Sequence, residues 1–359
     1  MSVRVLFLAD THLGFDLPVS PRIRRRRRGH DFLANYHLAL APALEGRVDL
    51  VVHGGDVFTR PNVPPSLVYQ AFEPLKRVAD QGVPVFVVPG NHERSRLPHA
   101  RFTSHPGISV FDRPRTFHAH VRGHRIALAG FPFARKVRDG FADLLARTMW
   151  EEQRADTALL CMHQCVEGAT VGPSDFTFRR APDVVQARDI PVGFAAVLSG
   201  HIHRHQVITS DLSGRALAAP VMYPGSVERT SFAEMDDPKG YMILELEGGA
   251  AGVAGALKRW SFETLPARPM LVREVSGQGL GADSLTRVLR TAVARTPVDA
   301  VLRVRVRGHV PARARAVLSA ASLRSMAPAQ MNLEVVLDGE SGWNRPASPP
   351  RKRLAVAVR

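Results

Sequence analysis

Five short polar motifs, each set just after an apolar run, constrain this chain more than any other feature. Val3 to Ala9 leads into Asp10-Thr11-His12, Leu50 to Val52 into Gly55-Asp56, and Val83 to Val88 into Gly90-Asn91-His92-Glu93. Ala158 to Met162 precedes His163, and Phe194 to Leu198 precedes Gly200-His201-Ile202-His203. Short apolar runs bounded by turn residues read as buried strands. An open α/β sheet places its site at the carboxyl ends of its strands, so the five motifs point to one spot. Asp10, His12, Asp56, Asn91, His163, His201 and His203 are then candidate ligands of one two-metal centre. Carboxylate, carboxamide and imidazole donors suit Mn, Fe or Zn better than soft-metal or calcium sites.

Spacing refines the assignment. If the segments after the strands stay extended, Asp10 and His12 share a face with Thr11 turned away, and His201 lies beside His203. Asp56 follows a Gly-Gly turn that aims its carboxylate into the site, where one carboxylate balances charge between two cations. Two metals about 3.5 to 4 Å apart activate a water and stabilise the attacking and leaving oxygens of a phosphoryl displacement. His92, directly after Asn91, is placed to face substrate instead of metal, as acid or as charge stabiliser. A single histidine after a strand is more often a surface or hydrogen-bonded group, and the chain holds 15. His30, His37, His99, His105, His118, His120, His124 and His309 are assigned that ordinary role, while His53 and His205 lie near enough to touch ligands. The specificity comes from the joint order.

A length of 359 residues allows one large core domain and a smaller one. Hydrophobic and charged fractions of 45% and 23% place the chain among soluble globular proteins. The first residues lack the cationic region and apolar length of a secretory signal, and no window reaches a membrane span. The two cysteines, Cys161 and Cys165, imply no disulfide framework, so a reducing cytoplasm is expected. They flank His163 in Cys-Met-His-Gln-Cys, yet a structural zinc site needs four ligands, and small buried residues are the better account. The net charge of +15 suggests a polyanionic partner. Arginine outnumbers lysine 43 to 5, a bias that GC-rich coding also produces, so clustering is the better test. Arg22, Arg24, Arg25, Arg26, Arg27 and Arg28 form a run broken only by Ile23, read as a solvated loop contacting nucleic-acid phosphates.

Helical spacing over Asp31 to Leu44 and Ser66 to Gln81 alternates with the first strands and predicts a parallel sheet with outer helices. Ile108 to Phe111, Thr116 to Val121 and Arg125 to Phe131 read as hairpin-like antiparallel strands. Strands follow at Gln206 to Thr209, Ala216 to Ala219, Tyr241 to Leu246 and Lys258 to Thr264, giving two sheets packed face to face. Leu265 to Pro269 is a stiff junction, which sets domains at 1–265 and 266–340. The second reads β-α-β-α-β, with helices near Ser284 to Arg295 and Ala312 to Leu323. Residues 341–359 form a basic Pro/Arg tail, expected to be mobile.

The motif set D-x-H, G-D, G-N-H-[ED], H and G-H-x-H resembles the calcineurin-like metallophosphoesterase superfamily, over about residues 3 to 246. The resemblance implies a four-layer α/β/β/α sandwich of class α/β, followed by a small α+β capping domain. It also implies that Asp10, His12, Asp56 and His203 hold one metal and Asp56, Asn91, His163 and His201 the other, with Asp56 bridging and His92 catalytic. Asp10 to Gly14, Gly55 to Phe58, and above all Tyr223-Pro224-Gly225-Ser226-Val227-Glu228-Arg229-Thr230-Ser231-Phe232-Ala233-Glu234 are similar to SbcD-type or YhaO-type repair nucleases. By that likeness the chain is a manganese-dependent 3′-to-5′ exonuclease and endonuclease subunit, with DNA as substrate and an SbcC-like coiled-coil ATPase as partner. A homodimer and no membrane association are further expectations. One departure is that no clear amphipathic helix pair for an ATPase follows the second domain. Alternatives are a phosphatase or cyclic-nucleotide phosphodiesterase with the same metals, and a noncatalytic DNA-binding subunit, which the intact ligand set disfavours.

Overall fold

A computed structural model describes residues 2–16, 25–93, 97, 99–247 and 255–337. Arg22, Arg24 and the tail 341–359 lie outside the described residues. Backbone contacts divide the chain into two compact units, with residues 24–26 grouped with 268–359 and the remainder up to 267 forming the first unit.

The first unit holds two six-stranded sheets. In one, β1 (Ser2–Leu8), β2 (Leu50–His53), β3 (Val85–Val87) and β4 (Ile108–Val110) run parallel. That sheet continues antiparallel from β1 through β15 (Gly240–Glu247) to β16 (Ala256–Thr264). The other centres on β6 (His124–Gly130), β7 (Thr157–Met162), β12 (Ala196–Ser199) and β14 (Ala216–Tyr223), which run parallel. β5 (Arg115–Val121) and β13 (Gln206–Ser210) close its edges antiparallel. Two short pairs sit outside the sheets: β8 (Cys165–Val166) with β11 (Val184–Val185), and β9 (Thr170–Val171) with β10 (Phe176–Thr177).

Side-chain alternation along each strand builds the layers. Val3, Val5 and Phe7 of β1 pack between the sheets with Leu159 and Cys161 of β7 and Ala196 and Leu198 of β12. Leu6 and Leu8 turn the other way, onto α1 (Arg28–Leu44) and α2 (Pro65–Asp80), where Phe32, Tyr36, Phe72 and Leu75 form an outer core. Leu160 and Met162 pack likewise against Phe141 and Leu145 of α4 (Val137–Ala146). The result is the α/β/β/α arrangement that the resemblance implies. α2 starts at a Pro64-Pro65 step, which fixes a helical φ where no intrahelical N–H is needed.

Three expectations need correction. The strand at Ile108 is not part of an antiparallel set, since β4 is the parallel edge of the first sheet and only β5 and β6 form the hairpin. α4 was not foreseen, because Gly140 and the left-handed Lys136 at its start mask the spacing of Val137, Phe141 and Leu145. The single helix expected over Ala312 to Leu323 is a 3-10 turn, Ala312–Leu318, followed by α6 (Ala320–Met326). Ser319 breaks the two with an extended backbone and caps α6 by accepting from the Ser322 amide. A further short helix, α3 (His99–Phe102), precedes β4.

The second unit is a three-stranded parallel sheet of β17 (Met270–Ser276), β18 (Val301–Arg307) and β19 (Asn332–Leu337). Leu302, Val304 and Val306 face Leu285 and Leu289 of α5 (Ala282–Ala294), which gives the unit its own apolar core.

Candidate metal centre

All five motif-bearing strands belong to the parallel parts of the two sheets, and their carboxyl ends bring the motifs together. The reason expected for Asp10 and His12 does not hold. β1 ends at Leu8, and Asp10 (φ 51) and His12 (φ 42) are left-handed rather than extended. Asp56 (φ 51) and His201 (φ 83) share that conformation, which costs a non-glycine residue energy and persists only where the surroundings over-determine it. Backbone bonds from the Asp10 amide to the Gly55 carbonyl and from the His12 amide to the Asp56 carbonyl, both 2.9 Å, lock the first two loops together. Thr11 is indeed turned away, with its hydroxyl on the Val57 carbonyl and 3.0 Å from His53 Nε2.

Three motif glycines are sites of close approach. A Cβ on Gly90 would stand 2.1 Å from Asp56 Oδ1, on Gly55 2.3 Å from His163 Nδ1, and on Gly200 2.3 Å from the Gly54 carbonyl. No other residue type fits there.

Asp56 stands at the centre. Its Oδ2 lies 3.3 Å from His163 Nε2, 3.8 Å from His92 Nε2 and 4.0 Å from His12 Nε2. On one side His12 Nε2 and His203 Nε2 are 3.0 Å apart, with Asp10 Oδ1 4.0 Å from His203 Nε2. On the other, Asn91 Oδ1 is 2.9 Å from His201 Nδ1 and 3.1 Å from His163 Nε2. The His201 amide donates to both carboxylate oxygens of Asp10 at 3.1 Å. His163 donates Nδ1–H to the Gly54 carbonyl (2.7 Å), and His203 Nδ1 faces Glu234 Oε1 (3.2 Å), so each aims Nε2 inward. A metal-binding imidazole is oriented in just this way.

Burial and mutual charge set the protonation pattern. Burial raises the Asp10 carboxyl to about 6. It would also raise Asp56, but His163, by charge and hydrogen bond, and then His12 outweigh it and hold that carboxyl well below the usual range. Burial pushes His201 down to about 3 and lowers His12 well below its ordinary value. His163 rises to about 9, because Asp56 beside it overcomes burial. Three overlapping groups could each hold a cation, Asp10–His12–His203, His12–Asp56–His92 and Asp10–Asp56–His163, and with Asn91 and His201 beside them this nitrogen and oxygen donor set fits divalent first-row cations. The residues present therefore suit the metals the fold implies.

Several supporting residues were not anticipated as such. Buried Glu93 accepts from the Phe58 and Gly90 amides at 2.8 and 2.7 Å and braces the Asn91-His92 turn, and burial raises its carboxyl to about 8. Glu234 links His203 to Lys239, whose Nζ is 2.7 Å from Glu234 Oε2 and 2.8 Å from the His203 carbonyl. His53 is buried behind Thr11 and touches the Gly55 amide, whereas His205 stacks on Phe262 at 3.9 Å. Cys161 and Cys165 are buried free thiols, and burial pushes Cys165 up to about 12.

Of the arginine run, Arg25 to Arg28 lie among the described residues, and Arg28 is the buried one. Arg28 lies within α1, 8% exposed, against Glu228 Oε1 at 3.7 Å and over the rings of Phe15 and Phe32. Arg27 pairs with Asp16. Arg25 donates to the carbonyls of Arg324 (2.5 Å), Ala327 (2.7 Å) and Pro328, and the Arg26 amide donates to Ala329 at 3.0 Å.

The pattern of calcineurin-like phosphoesterases matches residues 3–205. The DNA double-strand break repair protein Mre11 of Haloferax volcanii is 30% identical over 313 residues, covering 85% of this chain and 62% of that protein. Mre11 of Methanosarcina mazei is 27% identical over 274 residues, 75% and 39% of the two chains. The chain spans 39 to 64% of the length of the curated relatives it matches. A dimetal phosphatase from Danio rerio superposes with a TM-score of 0.41 at 13% identity, over 72% of this chain and 99% of that one, too loosely to add to the assignment. A match of motif order over more than half of the chain, with the motifs gathered at one point in space, leads to one conclusion: this protein belongs to the calcineurin-like phosphoesterase family.

Proposed function

We propose that this chain is a two-metal DNA phosphodiester hydrolase, with manganese as its working ion, acting as the nuclease partner of an SbcC-like ATPase. The observation that carries the reading is the position of Asp56 Oδ2 between two donor groups, in a chain whose relatives are repair proteins named Mre11. In this reading Asp10, His12, Asp56 and His203 hold one ion and Asp56, Asn91, His163 and His201 the other. Bound together, the ions would polarise the phosphodiester and supply a deprotonated water at neutral pH. His92 is the acid. Its side chain is 42% exposed, its Nδ1 is 2.9 Å from the Thr59 carbonyl, and its Nε2 faces the site beside Asp56. The carbonyl accepts a hydrogen bond from Nδ1–H, so Nε2 is where an added proton resides and from which it reaches the leaving oxygen. Glu93 keeps the turn rigid and the His92 amide, 2.9 Å from Asp56 Oδ1, ties acid to bridge.

Compartment and assembly belong to the same proposal: a cytoplasmic protein, pairing with itself and with the ATPase. Among the described residues no helix is long and apolar enough to cross a membrane. The test incubates the protein with Mn²⁺ and end-labelled duplex and single-stranded DNA, alongside bis-p-nitrophenyl phosphate and p-nitrophenyl phosphate. Shortened DNA is the expected result. Rapid turnover of the monoester with DNA left intact would instead make it a phosphatase.

A further inference from the structure

A basic ridge with an exposed aromatic ring leads away from the metal centre, and none of its residues serves the ligand set. It starts at Phe133, whose ring lies 5.8 Å from that of His201 and 6.2 Å from that of His163. Arg135 and Lys136 follow at once, and the Lys136 amide donates to Asp183 Oδ1 at 2.5 Å, while the Arg138 amide donates to the Pro182 carbonyl at 3.0 Å. These bonds bring the start of α4 against the segment that carries Arg179 and Arg180, both exposed. Just before them, β9 and β10 form a hairpin in which Phe178 packs into the outer core and Phe176 stands 59% exposed, their rings 5.2 Å apart edge to face.

The hairpin is tethered to the centre. Arg204, next to His203, donates Nη1 to Asp175 Oδ1 (2.5 Å), Nη2 to the Gly172 carbonyl (2.7 Å) and Nε to Asp237 Oδ1 (3.1 Å). The guanidinium therefore clamps the hairpin tip to the loop that bears His203 and His201. Among the described residues, the side chains of Arg135, Lys136, Arg179 and Arg180 make no hydrogen bond or ion pair. The acids closest along the chain are Asp139, Asp183 and Asp175, of which Asp175 is neutralised by Arg204 and Asp183 is engaged by the Lys136 amide.

Cations without side-chain partners on two adjoining segments, beside a hairpin with an exposed ring, are the parts of a single-strand platform: cations track phosphates and the ring stacks on a base. Beyond its edge-to-face contact with Phe178, most of the Phe176 ring is exposed on the clamped hairpin. We infer that the ridge Arg135-Lys136-Arg179-Arg180 and the Phe176 ring seat an unpaired DNA strand and lead it to the metal centre, a reading that rests on the nuclease function proposed above. Duplex DNA gains little from Phe176, because its bases are already stacked.

The test uses the full chain. Binding of fluorescein-labelled oligo(dT) is followed by anisotropy with EDTA present, so that no strand is cut, for the wild type, Phe176→Ala, Phe176→Trp and the double variant Arg179→Ser/Arg180→Ser. Phe176→Ala should weaken oligo(dT) binding roughly 5- to 50-fold, within the usual range for loss of one base stack, and Phe176→Trp should restore it. The double variant should flatten the slope of log K against log[salt] by about 1.4, since each single-strand phosphate contact contributes about 0.7. Hydrolysis of bis-p-nitrophenyl phosphate with Mn²⁺ should stay at the wild-type rate in all three variants. Wild-type affinity and slope in the variants of a chain that cuts DNA would overturn the platform alone. A wild type that neither binds oligo(dT) nor cuts DNA would overturn the platform and the nuclease reading together.

Discussion

At the residue scale the proposed chemistry rests on Asp56 as bridge and His92 as acid, and the two are separable by experiment. Asp56 faces donors on both sides, so Asp56→Asn, which removes the charge needed between two dications, should lower the affinity for both ions. Metal analysis of the purified variant reads this directly, and two equivalents held at wild-type affinity would show that Asp56 is not the bridge. The His92 ring stands 3.8 Å from Asp56 Oδ2 with its Nδ1 on the Thr59 carbonyl, and its backbone amide donates to Asp56 Oδ1. His92→Asn should therefore keep metal content and DNA affinity while turnover falls roughly 100-fold or more, the scale for loss of a positioned acid. Parallel loss of metal would make His92 a ligand. Both candidates are legible in the sequence because motif order narrows many histidines to a few. The bracing by Glu93 and by the Glu234–Lys239 pair was not, since a buried carboxylate announces its partner only once the loops are folded.

At the scale of elements, the arginine run shows how position decides what a charge does. Arg28 opens α1 and is covered by Phe15, Phe32 and Glu228, with its stem and guanidinium used for packing. Arg28→Ser should destabilise the fold by about 1–3 kcal/mol, the range for opening a buried charged contact, and leave the salt dependence of DNA binding unaltered. Thermal unfolding and a salt titration check both halves, and an unshifted melting temperature would return Arg28 to the solvent. The loops after β1 and β12 carry a second lesson. An extended segment was expected to put Asp10 and His12 on one face, yet left-handed residues do so, because close approach by the neighbouring loops leaves no room for a strand to continue. Period-two reasoning ends where the ladder ends.

At the scale of the whole molecule, the site is a junction of both sheets, so metal binding and stability of the first unit are linked. The proposed ligands come from the ends of β1, β2 and β3 in one sheet and of β7 and β12 in the other. Ions that bind only the folded form should stabilise it by mass action, by about 2.7 kcal/mol at a hundredfold excess over Kd. The melting temperature should climb with Mn²⁺ and fall when EDTA is added. A melting temperature indifferent to both would mean that the seven groups do not act together as a metal centre.

The strand-borne motifs, the family and the order of most elements are written in the chain, because burial on one or both faces of a strand leaves a period that can be counted. The Gly-Gly turn before Asp56 is also legible there, whereas the close approaches at Gly90 and Gly200 show only in the fold. Tertiary structure alone decided which sheet claims β4, that Arg204 clamps a hairpin beside His203, and that Arg28 is an interior residue. The reason is physical. Each of these outcomes depends on partners distant in sequence, and pairing energy across a fold leaves no local periodicity behind.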